Sequence, residues 1–473
     1  MKKKTIIIVI IILLSALAIL GLYQTFALGG DITKDTSGYY NVTVTDGTTV
    51  TVPAGSSKTV YYKLTNTNKG TVKYGVGYSG TNITVKYYTD TQDPATGTVE
   101  YGSSKFIKLY IYASAGAHVG GGNKTVTLST ILGYEKGGDL IVPSGVTLVT
   151  ESLTEPVNAA ALITNLYNNA TKTPVTNNSI TYQYDTTNSL MKDNAGNIRY
   201  YGASPDNYVY FNCSNYSNQS SSTCETWRII GVFNNKVKLI RGSRIGIYSW
   251  DNKNTSTGAE DDFGKNDWTD ARLMKLLNPG YESETTGGSL YYNSGSGNCY
   301  AGSDNATKAC DFTSTGIKND TTRSLISDTT YYLGGWSSSE VYPNQIYEYE
   351  RGTTVYTGRP TEWPGKIALA YPSDYGYAVD LRKCSQTLIN YDNSACTSNN
   401  WMKAIIGSSS HGWLLTHSPN TSRTTWLVSS SGNVYGTTGA YFTAGVAPVL
   451  SLSSELSIKA GTGSSSDPYQ LSV

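Results

Sequence analysis

The chain has 473 residues and a formal net charge of +1, enough length for two or three domains and no excess of positive charge to grip nucleic acid. Only 15% of residues are charged, while Tyr (39) and Gly (48) are abundant and Ser, Thr and Asn fill the intervals between apolar runs. With Val, Ile and Tyr recurring at alternating positions, this composition predicts a mainly β protein.

The N-terminus carries Lys2, Lys3 and Lys4 ahead of an apolar run from Ile6 to Leu22. A basic start holds that end in the cytosol and sends the following chain outward. The run approaches the ~20 residues that a membrane span needs. Residues 1–30 are therefore read as a signal anchor, a single-pass transmembrane helix with Tyr23 and Phe26 at the interface. Ala27-Leu28-Gly29 offers a small-residue cleavage site, so secretion of a cleaved chain stands as the alternative.

Residues 36–152 read as one β-sandwich. Thr59 to Leu64 and Val72 to Tyr74 alternate at the strand period, and TNITVKYYT, KFIKLYIYA and KTVTLSTILGY continue the rhythm. Near-regular strands with turn residues between them predict an Ig-like sandwich, here without Cys or Trp and suited to a stalk. Gly75, Gly77 and Gly80 match GxGxxG formally, but a dinucleotide site needs a helix directly after the glycines, and a strand pattern follows instead. Residues 153–175 are expected to form a helical linker. Pro156 suits its first turn, and Ala159, Leu162, Ile163, Leu166 and Tyr167 share one face.

Residues 176–473 hold all eight Trp and all six Cys and read as one loop-rich head. WRIIGVF and NKVKLIRG predict a hairpin turning at Asn234-Asn235. DWTDARLMKLLNPG predicts a helix capped by Asp267, with Trp268, Ala271, Met274 and Leu277 on its buried face. The cysteines fall as Cys213/Cys224, Cys299/Cys310 and Cys384/Cys396, each pair alone on its own polar stretch. Six cysteines allow 15 pairings, and local pairing is favoured by that isolation. No CxxC knuckle is present for zinc. Outside the membrane such pairs oxidise, and each closed loop is worth about 3 kcal/mol on the entropic model.

The motifs NIRYYGASPDNYVYFNC, WRIIGVFNNKVKLIRG, NDWTDARLMKLLN, WPGKIALAYPSDYGYAVD, NWMKAIIGSSSHGWLLTHSPNTSRTTWLVSSSGNVY and GVAPVLSL follow in order, with GTGSSSDPYQL closing the chain. This plan resembles a set of uncharacterised gut-Firmicutes surface proteins with an N-terminal anchor and Ig-like stalk. It is also similar to C-type-lectin-like domains, including the formylglycine-generating-enzyme type and the major paralogous surface domain of fibre-degrading bacteria. The resemblance implies an α+β C-type-lectin-like head with long loops. It covers about Asn197 to Val473. The chain departs from classical calcium-dependent lectins, having neither an EPN-type sugar tripeptide nor a WND-type calcium motif. Formylglycine-type oxidation needs a reactive cysteine pair, which stapled cysteines do not supply.

Three stretches invite sharper readings. His411 and His417 lie near Ser408, Ser409 and Ser410, yet no GxSxG elbow accompanies them and no catalytic residue is assigned. EDDFGKNDW clusters acids that calcium could use, without EF-hand spacing; beyond that, neither cofactor nor metal is expected. YEYERGTTVYTGRPTEWPG supplies Tyr347, Tyr349, Arg351, Tyr356, Arg359 and Trp363, aromatic and charged groups that can stack on sugars or anchor a protein partner. The expectation is a non-enzymatic, adhesin-like protein on the cell membrane, its head outside the cell and binding a glycan or surface protein through loops. A structural subunit of a surface layer or filament, and an enzyme with formylglycine-type or hydrolase chemistry, are the alternatives.

Overall fold

The structure, a computed structural model, describes residues 28–34, 40–44, 49–54, 56–67, 70–89, 93–114, 123–133, 139–153, 157–255 and 262–473. The expected membrane span Ile6 to Leu22 lies outside these residues, as do His118 and Pro156. Among the described residues no helix is long and apolar enough to cross a membrane. Strand far outweighs helix, and the chain forms two compact units, Met1–Glu155 and Pro156–Val473.

The first unit pairs a six-stranded sheet with a five-stranded one. Leu28–Lys34 is already a strand of the larger sheet, so the strand pattern begins ahead of residue 36 and takes in the last residues assigned to the anchor. The strand Ser57–Asn66 shows why the sheets face each other. Val60, Tyr62 and Leu64 are buried while their neighbours are not, the period-two pattern of a sheet with one apolar face. That face meets Val72, Tyr74 and Val76 of the other sheet around a shared core. Each such side chain contributes about 1.5–3 kcal/mol by leaving water. The glycines of GVGYSG lie in and just after the strand Val72–Ser79, with another strand, Ile83–Tyr88, following. A Cβ at Gly75 or Gly77 would come within 2.8 Å of the Leu140, Leu148, Val146 or Ile131 side chains. Close packing, not phosphate, explains those glycines.

The second unit is built on a nine-stranded sheet flanked by two cores. Trp227, Ile229, Leu239 and Leu450 fall in one core; Ile230, Ile240 and Val449 fall in the other. A sheet covered on both faces demands continuous apolar runs, which is what WRIIGVF supplies. Asn234 and Asn235 turn the expected hairpin with φ of 47° and 60°, the left-handed pair that such a turn requires. The register shifts between Ile229 and Gly231, where a Cβ on Gly231 would stand 2.1 Å from the Ile198 carbonyl oxygen. Only glycine lets the neighbouring strand in.

The helix Ala159–Asn169 belongs to this unit. Asn158 caps it, accepting from the Ala161 amide at 3.0 Å, and its apolar face joins the first of the two cores. The expected linker ends in strand, for Thr173–Asn177 is an edge strand of the sheet that takes in its last three residues. The helix expected from Asp267 starts instead at Arg272 and is six residues long. The Asp267 carboxylate turns back on Thr269, accepting from its amide at 3.0 Å and its hydroxyl at 2.6 Å. The helix start is held from elsewhere, by the Trp250 carbonyl and the Asp251 carboxylate. Trp268, Ala271, Met274 and Leu277 are nonetheless all buried. The cysteines join as Cys213–Cys224, Cys299–Cys310 and Cys384–Cys396, closing separations of 11, 11 and 12 residues, and all six are buried.

Candidate functional site

A cleft of about 460 Å³ opens in the second unit where four parts of the chain converge. The hairpin contributes Phe233, Asn234, Lys236 and Lys238. The strand Thr329–Tyr332 contributes its whole length. Tyr347 and Arg351 come from the helix Pro343–Glu350 and the residue after it, and Tyr371 from the cap of the helix Pro372–Tyr377. Lys236 and Lys238 are two residues apart on one strand, so both point to the same side.

Behind the cleft lies a buried chain of alternating charges. Arg199 donates from Nε to Asp193 at 2.6 Å and from Nη1 to Asp374 at 2.9 Å. Lys238 donates to the other oxygen of Asp374. The rings of Phe233, Tyr377 and Tyr347 surround the Arg199 guanidinium at 4.6, 4.7 and 5.5 Å, and its Nη2 has no hydrogen-bond partner among the described residues. Asp374 also accepts from the Tyr371 amide at 3.1 Å, capping its own helix. Burial opposes the charge of Asp374, but Lys238 and Arg199 hold its carboxyl below the usual range. For Lys238 burial prevails over Asp374 and pulls the ammonium down.

Glu350 and Arg351 form the second charged step. The Glu350 carboxylate is wholly buried. It accepts from the Ser373 amide at 2.9 Å, the Ser373 hydroxyl at 2.5 Å and Arg351 Nη1 at 3.1 Å. Burial pushes its carboxyl up to about 7, against the pull of Arg351 and Ser373 and with a further push from Asp374. The Arg351 guanidinium lies 3.4 Å over the Tyr347 ring, with Tyr371 and Tyr332 at 5.3 and 5.4 Å. Lys236 extends to the Ser327 hydroxyl at 2.6 Å and the Asp328 carbonyl at 3.1 Å.

Of the six residues singled out for ligand binding, Tyr347 and Arg351 line this cleft. Tyr349 stacks on Trp336 at 3.8 Å instead. Arg359 lies over Tyr356 at 5.3 Å and donates to the Ser422 carbonyl at 3.2 Å, away from the cleft lining. Trp363 is in the core between Trp268 and Tyr331, and it backs the cleft only by pairing with Tyr331 across the ladder. Sequence reasoning passed over Phe233, Lys236, Lys238, Tyr332 and Tyr371. The signal was present in KVKLIR, where two lysines and an arginine interrupt a strand that is otherwise fully apolar.

Among the described residues the other two stretches do not line this cleft. His417 is 2% exposed, and burial, then Arg359, pushes its imidazole down to about 4 against the pull of Asp267. Among the described residues neither the His417 nor the His411 imidazole shares a hydrogen bond with a serine hydroxyl; Ser410 Oγ accepts from Arg244 at 2.7 Å and donates to the His411 carbonyl at 3.5 Å. Glu260 and Asp261 lie outside the described residues, and among those described no group of three His, Cys, Asp or Glu could hold a metal ion. Comparison with known family models, curated proteins and solved structures gives no match to this chain.

Proposed function

We propose that this chain is an exported, membrane-anchored surface protein whose head binds a glycan or protein ligand in the cleft between the Lys236–Arg241 strand and the Pro343–Glu350 helix. On this reading the first unit is an Ig-like stalk. The second is a C-type-lectin-like head, as in the gut-Firmicutes surface proteins that the motif order resembles. Two sheets closed on one core support the stalk assignment. Three short, buried disulfides support an oxidising, extracellular address for the head.

The observation that carries the binding role is the cleft itself. Ligand sites are concave and combine aromatic surface with a few fixed polar groups. Here Phe233, Tyr332 and Tyr347 meet Lys236 and Arg351; the Glu350 carboxylate holds Arg351, and the Ser327 hydroxyl and Asp328 carbonyl hold Lys236. The test is to present the full chain to arrays of glycans and of purified surface proteins, with and without calcium. Capture of a defined ligand that is lost in Arg351→Ala is the expected result. Absence of binding to any array element in both conditions overturns the proposal.

A further inference from the structure

Taking the cleft to be the binding site, we infer that its ligand is a saccharide bearing a carboxylate, with the acid group on Arg351 and Lys236 and the sugar hydroxyls on the strand Thr329–Tyr332.

The lining cations differ in what already answers their charge. Lys238 is bound to Asp374. Arg351 uses only Nη1, for the Glu350 carboxylate and the Tyr347 carbonyl, both at 3.1 Å. Its Nε and Nη2 have no partner among the described residues, and the side chain is 22% exposed. Those two N–H groups form one edge of a planar fork, the shape that takes both oxygens of a carboxylate. The Tyr347 ring beneath holds the plane, so little side-chain freedom is left to lose on binding. Among the described residues Lys236 reaches two neutral oxygens and no carboxylate, and the Asp328 carboxylate of the lining pairs with Lys366 at 3.2 Å. Near neutrality Glu350, with its raised carboxyl, answers the charge of Arg351 only in part.

The rest of the lining suits a sugar better than a peptide. Thr330 and Tyr332, two residues apart on that strand, place hydroxyls on one side of it, and half-buried aromatic rings flank them. A peptide would add most readily as a strand beside Thr329–Tyr332. That edge is blocked at Tyr332, whose amide donates to the Tyr371 hydroxyl at 2.7 Å and whose carbonyl accepts from it at 3.0 Å.

The test is calorimetric titration of the full chain with trigalacturonate and sialyllactose, beside galactotriose, lactose, a sulfated lactose and an oligoglutamate. The acidic sugars are expected to bind about tenfold or more tighter than their neutral counterparts, a margin that shrinks as salt is raised. Arg351→Lys keeps the charge but loses the fork, and is expected to weaken the acidic sugars by about tenfold. Lys236→Met, on the rim, is expected to weaken them several-fold, and it serves as the independent variant should Arg351→Lys alter the thermal melt. Equal affinity for neutral and acidic sugars, preference for the sulfated sugar or the oligoglutamate, or an unchanged affinity in Lys236→Met overturns this inference. Each of these leaves the cleft as the binding site. Loss of all binding, to these probes and to the arrays above, overturns that site as well.

Discussion

The two units solve the same problem, burial of a β-sheet, in opposite ways. In the first unit each sheet has one buried face, and the ion pairs stay at the surface, as with Lys105 and Asp93 at 29% and 28% exposure. In the second, Leu239 and Ile240 are consecutive yet lie in different cores, so the central strands have no wet face. Charges on such strands must be answered inside the protein. Lys238 and Arg199, at 7% and 1% exposure, meet Asp374 at 0%. Taking two charges out of water costs several kcal/mol per ion, and their attraction offsets this only with complete hydrogen bonding. An arrangement this costly sits behind the cleft; in the first unit the buried Lys108 lies over the Tyr88 and Tyr61 rings at 4.8 and 5.6 Å. The difference separates scaffold from site without reference to any ligand.

The sharpest way to break the comparison is reduction. All three disulfides are in the second unit, and each closes a short loop worth about 3 kcal/mol on the entropic model. Each unit has its own core, so denaturant titration of the full chain is expected to show two transitions. Dithiothreitol should lower the transition of the second unit by several kcal/mol and leave that of the first in place. A shared shift would mean that the two units unfold together.

Next in size is Asp374→Ala. It strands Lys238 and one arm of Arg199 in the interior and removes a helix cap. Breaking a buried pair from one side costs about 3–5 kcal/mol. The loss should appear only in the second transition, and a shift below about 1 kcal/mol would show that water reaches the network.

A pH series separates the units further. Glu350 has an ordinary carboxyl value of 4.5, raised to about 7 by burial, so the folded state holds its proton more tightly than the unfolded chain does. Its contribution to stability is full below 4.5 and is lost as pH rises through about 7. Asp251, pushed up to about 6 by burial, acts with the same sign. His417 acts oppositely. Its imidazole is held at about 4, so its contribution is full above 6.5 and is lost as pH falls toward 4. Glu350→Gln cannot ionise. Relative to the unaltered chain, it should gain up to about 3 kcal/mol between about pH 5 and 8, read as the midpoint of the second transition. Parallel curves for the two proteins would place the Glu350 proton in the ordinary carboxyl range.

How much of this was legible in the sequence depends on how local each cause is. The hairpin at Asn234-Asn235 could be read because its turn chemistry lies in two adjacent residues. The cysteine pairs could be read because each is closed within about a dozen residues. The start of the helix at Arg272 could not, because Trp250 and Asp251, some twenty residues upstream, set it. Of the candidate cleft, two residues were legible. Tyr347 and Arg351 belong to one helical turn rich in aromatic and charged groups. Trp363, from the same stretch, was drawn into the core by Trp268 and Tyr331. Lys236 and Lys238 went unnoticed because an apolar strand hides how exceptional a lysine is there until both faces are known to be covered.

The smallest effect is expected where the chemistry is the same and the setting differs. Lys105 and Asp93 form a lysine–aspartate pair at 2.9 Å in the first unit, as Lys238 and Asp374 do in the second. Asp93 also accepts from the Phe106 amide at 2.8 Å, so the carboxylate keeps a partner when the lysine is lost. Water screens what remains of the pair, and Lys105→Met should shift the first transition by less than about 1 kcal/mol. Lys238→Met leaves Asp374 with one cation where it had two, in a place that water does not reach, and should shift the second transition several times as far. Equal shifts would mean that burial is not what distinguishes the two pairs, and the charges behind the cleft would then be ordinary surface chemistry seen from the inside.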